Sequence, residues 1–146
     1  MDTLERREDQ VKGIFGRVEE IEGVVEDLAD REPEAVARLQ RVASSALASA
    51  GPVSLRVAAD LLQLSVRTVT TWADQGVLEV VARRPKRVDP VQLHTVKHLI
   101  EELRAAGRNR DLVTAVWHRL QDQAALERDD LAKSLEQFRD GKKIPI

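Results

Sequence analysis

Apolar residues return at every seventh position at the start of the chain, at Leu4, Val11, Val18 and Val25. Ile14, Ile21 and Leu28 fill the complementary series, and Arg7 interrupts its first position. Two interleaved series of this kind predict a helix of about four heptads, roughly 45 Å long, with a coiled-coil seam along one side. Its other faces are polar, so the stripe must be covered by another copy of the chain or by the next helix. A homodimer through Leu4, Val11, Ile14, Val18, Ile21, Val25 and Leu28 is the expected arrangement.

Glu32-Pro33 breaks that pattern. A second helix carrying Val36, Leu39, Val42, Ala43 and Leu47 then runs to about Ala50, where Gly51-Pro52 stops it. This punctuation predicts a helical dimerisation region over 1–51. Ser54 and Ser65 are N-caps for two short helices, Leu55 to Leu62 and Val66 to about Gln75, joined by Gln63 and Leu64 and closed by Gly76. Val77 to Ala82 reads as a strand entering the basic run Arg83 to Arg87, with Val88 starting a return strand. Asp89 and Pro90 open another helix with a stripe of Leu93, Val96, Ile100 and Leu103, ending at Gly107. A further helix from Asp111 to Gln121 completes a central domain over 52–121, and a polar helical tail occupies 122–146. The fold class expected is mainly α, with one short β wing.

Composition sharpens this picture. Aromatic residues make up 3% of the chain and Tyr is absent, which favours helices packed along stripes over a sandwich. With no Cys there is no disulfide, thiolate nucleophile or Cys-ligated metal. No apolar run reaches the ~20 residues of a membrane span, and the charged start lacks the features of a signal peptide, so a cytoplasmic location is expected. The net charge of −2 is unevenly spread. Residues 1–51 hold 7 Lys/Arg against 12 Asp/Glu, residues 52–110 hold 10 against 6, and residues 111–146 hold 6 against 7. A basic centre between acidic flanks is the distribution expected when one segment meets phosphate.

The candidate chemistry lies in that centre. On the helix from Val66, the residues Val66, Val69 and Trp72 form an inner side, whereas Arg67, Thr70, Thr71 and Asp74 fall on another face, with Thr68 at its edge. Such a surface fits the major groove of double-stranded DNA, where Arg reads guanine and threonine reaches bases or phosphates. The stretch "SLRVAADLLQLSVRTVTTWADQGVLEVV" resembles the winged helix-turn-helix of the MerR and excisionase group. Ala58-Ala59, Leu61-Leu62, Leu64-Ser65, Thr68-Val69, Trp72, Gly76 and Leu78 stand at the matching places. The resemblance extends more weakly through "DPVQLHTVKHLIEELRAAG" and covers about residues 53 to 121. It implies DNA contacts from Arg67, Thr68, Thr70 and Thr71 on the recognition helix and from Arg83, Arg84, Lys86 and Arg87 on the wing. Gln63 stands where the family usually has glycine, which requires a left-handed residue costing ~1 kcal/mol. Thr70 replaces a frequent arginine. Without cysteines, metal sensing of the MerR kind is excluded, and the coiled coil precedes the DNA-binding domain instead of following it.

Other chemistry is thinner. His94 and His98 are one helical turn apart, with Glu101 nearby, but no HExxH arrangement accompanies them; solvent-facing histidines are expected, with no metal or cofactor. No phosphate loop, nucleophile elbow or catalytic carboxylate pair is evident, so no enzyme activity is expected. The end of the chain carries Leu131, Leu135 and Phe138, then Arg139, Lys142 and Lys143. It reads either as a frayed terminus or as a segment that folds on a partner. It is similar to the tails of bacterial antitoxins, which implies a toxin as a further partner. For a PIN-type ribonuclease, Arg139, Lys142 or Lys143 would enter the acidic, metal-binding pocket. The function expected is a dimeric DNA-binding transcriptional regulator, an autorepressor and antitoxin. The alternative is a protein-interaction adaptor using the coiled coil.

Overall fold

Helices dominate the computed structural model, which describes residues 3–142, the side chains of residues 130, 131, 134 and 136–142 excepted. The order is α1 (Thr3–Leu28), α2 (Pro33–Ser49), β1 (Val53–Ser54), α3 (Leu55–Leu62), α4 (Val66–Asp74), β2 (Val80–Arg83), β3 (Lys86–Val88), α5 (Pro90–Ala105) and α6 (Leu112–Lys142). Two compact units divide the chain, residues 1–102 and residues 103–146. Gly51 therefore lies inside the first unit.

Within that unit α1 packs on α2 and on α3. The residues it buries are Val11, Phe15 and Val18. This corrects the expected dimer seam. Val11 and Val18 are 7% and 0% exposed in the single chain, so neither is free to meet a second copy, while Leu4 at the other extreme is exposed. The reason is Phe15, which the seven-residue count passes over. Adding the position after a d residue widens a narrow seam into the broader stripe of a helix that faces a core. Ile14, Ile21, Val25 and Leu28 are half-buried. On α2, Ala43 and Leu47 point inward and Val42 is exposed. Surface ion pairs run from α1 to α3, Lys12 to Asp60 at 2.8 Å and Arg56 to Glu8 at 3.4 Å.

The helix ends follow local chemistry. Ser54 Oγ accepts the Val57 N–H and Ser65 Oγ accepts the Thr68 N–H, so both expected N-caps form. At the close of α3, Gln63 is left-handed, with φ 56°. The Leu64 N–H reaches back to the Ala59 carbonyl at 3.0 Å, completing a Schellman turn without glycine. The same closure recurs after α4, where Gly76 has φ 82° and the Val77 N–H donates to the Trp72 carbonyl at 3.0 Å. Val77 and Leu78 are consequently drawn into the core at 2% and 0% exposure. This corrects the strand expected from Val77. Instead β2 begins at Val80, because an apolar residue just after a Schellman turn packs back on the helix it follows.

The sheet order is β1-β3-β2, antiparallel throughout, with Val88 opposite both Val53 and Val80. Strand β1 adds a pairing partner that the alternation of residue types does not reveal. The pairing slips between Val80 and Ala82, a bulge that leaves Val81 exposed. Arg84-Pro85, with a cis peptide bond, links β2 to β3. Asp89 caps α5 through the Gln92 N–H at 2.8 Å, and Leu93, Val96 and Ile100 are buried as expected. His94 is buried too, at 8% exposure, which corrects its expected solvent-facing place.

In the second unit, Gly107 (φ 75°) terminates α5 and α6 follows as one helix of 31 residues. The break expected after Gln121 is absent, since no Gly or Pro occurs between Arg108 and Asp140 to impose one. Ala115 and Val116 are buried, and residues 121–129 are all exposed. No helix among the described residues is long and apolar enough to cross a membrane.

Candidate nucleic-acid interface

α4 is short, and its buried residues are Val69, Trp72 and Ala73. That is an i, i+3, i+4 stripe, enough to seat the helix on α3, which it packs against. Val66, expected on this inner side, is 49% exposed, because the inward stripe begins only at Val69. The outward face therefore presents Val66, Arg67 and Thr71 as exposed residues, with Thr68 and Thr70 half-buried.

The threonine hydroxyls are not idle. Thr70 Oγ1 donates to the Val66 carbonyl at 2.8 Å and Thr71 Oγ1 to the Arg67 carbonyl at 3.1 Å. Thr68 Oγ1 shares a hydrogen bond of 2.9 Å with the capping Ser65 Oγ. Such bonds fix side-chain rotamers and leave methyl groups and oxygen lone pairs outward.

The hairpin carries the other cations. Arg83 and Arg84 are both exposed, and Lys86 and Arg87, half-buried, follow on the return strand. Arg87 sits on the central strand, opposite Ser54 on one side and Ala82 on the other. Lys86 Nζ donates to Asp74 Oδ1 at 2.6 Å, joining the hairpin to the end of α4. Both side chains are well exposed, so the pair adds little stability, about 0–1 kcal/mol, and acts chiefly on orientation. Among the described residues, Arg67, Arg83, Arg84 and Arg87 have no ion-pair partner.

A side chain absent from the sequence-based site also positions the hairpin. Gln92, on the first turn of α5, donates from Nε2 to the Val77 carbonyl at 2.7 Å and accepts the Glu79 N–H on Oε1 at 3.1 Å. A single amide thus bridges the segment between α4 and β2 as a neighbouring strand would. Gln92→Ala is expected to cost about 1–3 kcal/mol, two hydrogen bonds' worth, in urea unfolding. A loss below about 0.5 kcal/mol would mean the segment holds without the bridge.

Of the tail residues singled out above, Leu135 is exposed. The side chains of Leu131, Phe138, Arg139, Lys142 and Lys143 lie outside the described residues. Comparison with protein-family models, curated proteins and solved structures gave no match in any of the three.

Proposed function

We propose that the chain is a sequence-specific DNA-binding regulator of transcription, a winged helix-turn-helix in which α4 enters the major groove and the β2–β3 hairpin holds phosphate. One observation carries this reading. A chain with net charge −2 keeps four arginines unpaired on two adjacent elements, while the nearby carboxylate of Asp74 is already taken by Lys86. Unpaired guanidinium groups beside a fixed polar helix face suit phosphate oxygens and the guanine edge, which Arg contacts in a bidentate fashion. The acidic residues of α1 favour orientation of this surface, rather than the rest of the protein, toward a polyanion.

The reading is non-enzymatic. If two copies act together, their recognition helices read inverted half-sites about one helical turn apart.

The experiment is a selection of bound duplexes from random DNA, followed by binding of the chosen sequence. A recurring motif is expected, and Arg67→Ala is expected to relax preference at one base pair by about 1–3 kcal/mol without abolishing binding. Recovery of no motif would favour the adaptor alternative. Unchanged preference in the Arg67 variant would remove α4 from the reading surface.

A further inference from the structure

Four side chains on α1 and α5 converge on one point. Glu19 and Glu22 are one turn apart on α1, His94 and His98 one turn apart on α5, and one ligand atom from each lies within 4.8 Å of the other three. Glu22 faces both rings, with Oε1 2.8 Å from His94 Nε2 and Oε2 2.7 Å from His98 Nε2. Glu19 Oε1 stands 3.8 Å from each of the same nitrogens. Both Nε2 atoms are sealed from water, yet neither makes a directed hydrogen bond. For His94, whose side chain is 10% exposed, solvent offers no substitute.

Two buried nitrogens aimed at one carboxylate without hydrogen bonds need a common partner. If each ring carried a proton on Nε2, that proton would have to point along the contact to an oxygen, which the ring orientations do not provide. If the nitrogens are bare, their lone pairs face the lone pairs of Glu22 and repel them. A divalent cation among the four atoms removes both difficulties, because it takes lone pairs from neutral imidazoles and charge from carboxylates.

We infer that Glu19, Glu22, His94 and His98 form a binding site for one divalent transition-metal ion of the zinc class. Two imidazole nitrogens and two carboxylate oxygens are a borderline donor set that suits Zn²⁺, Co²⁺ or Ni²⁺ better than Mg²⁺ or Ca²⁺. Metal–ligand lengths of about 2.0–2.2 Å place the ligand atoms of a tetrahedral site about 3.3–3.6 Å apart. The nitrogen–oxygen separations of 2.7 to 3.8 Å bracket that range, and all four ligand atoms lie within 4.8 Å of one another, so side-chain rotations complete the site. Lys97 Nζ donates at 3.1 Å to Glu19 Oε1, the oxygen that faces both imidazoles, and at 2.6 Å to Glu101 Oε1, which fixes the Glu19 carboxylate in place. A cleft of about 350 Å³ borders the cluster, lined by Glu22 and His94 together with Ala43 and Leu47. Bound metal would fasten α1 to α5.

The test uses the full chain, stripped of metal by a chelator and free of DNA, titrated with Co²⁺ and then with Zn²⁺. One equivalent of Co²⁺ per chain is expected to give the visible absorption of a nitrogen–oxygen site, and Zn²⁺ to bleach it. His98→Ala, at a partly exposed position, and the near-isosteric Glu22→Gln are each expected to weaken binding about tenfold or more. Circular dichroism in chelator is expected to be the same for all three chains. Absence of saturable one-equivalent binding in the parent overturns the inference, and so does parent-like affinity in both variants. The parent's cobalt spectrum reads the donor set whether or not a variant folds. Because no duplex is present, the result stands apart from the DNA-binding reading.

Discussion

Trp72→Ala is expected to lower the free energy of unfolding by about 3–5 kcal/mol, read as a lower urea midpoint at unchanged slope. Trp72 is 4% exposed and is the largest side chain that α4 buries, beside Val69 and Ala73. A helix of nine residues has little stability of its own, so its place depends on these few side chains. Removing the indole deletes apolar surface and leaves a cavity that a close-packed neighbourhood fills only in part. Against a typical total of about 5–15 kcal/mol, such a loss brings the protein near its unfolding threshold. A loss under about 1 kcal/mol would show that Trp72 is not what seats α4.

The second large effect concerns salt. Arg83→Ala combined with Arg84→Ala is expected to make the slope of log affinity against log salt shallower by about 1.8, at about 0.9 for each phosphate no longer neutralised. All duplexes should weaken alike, since groups that meet phosphate position a protein without reading sequence. Both arginines stand at the tip of a hairpin whose other end is held by β1 and by Gln92, so their removal leaves the packing intact. An unchanged slope would take the hairpin out of the proposed interface.

The parts of this fold written in local chemistry are legible in the sequence. Ser54, Ser65 and Asp89 cap their helices because a short polar side chain needs only the N–H groups two or three residues ahead. The left-handed Gln63 is anticipated through the resemblance, since it stands where that family usually has glycine. Nonlocal features are not legible in this way. The heptad count at α1 identifies an apolar face but not its cover, and Phe15 between the two series is the one signal of a broader stripe. The run Val77 to Ala82 has strand composition throughout, yet the turn at Gly76 folds its first two residues beneath the helix. The Lys86–Asp74 pair and the Gln92 bridge join residues 12 to 15 positions apart, beyond any periodicity. Glu19 and Glu22 lie on α1 among many acidic residues, and nothing in their spacing points to His94 and His98 on α5.

The back-donated hydroxyls of Thr70 and Thr71 have a consequence for which letters of the genetic text the proposed reading helix can tell apart. Each hydroxyl has one proton, and that proton is committed to a carbonyl of the helix itself. Toward a base pair, these two threonines offer only oxygen lone pairs and methyl groups. Lone pairs welcome the amino groups of adenine and cytosine, and a methyl packs on that of thymine, but the major-groove edge of guanine consists of acceptors alone. On the DNA-binding reading, the acceptor edge of guanine falls to Arg67, while Thr70 and Thr71 suit positions that present an adenine or cytosine amino group or a thymine methyl.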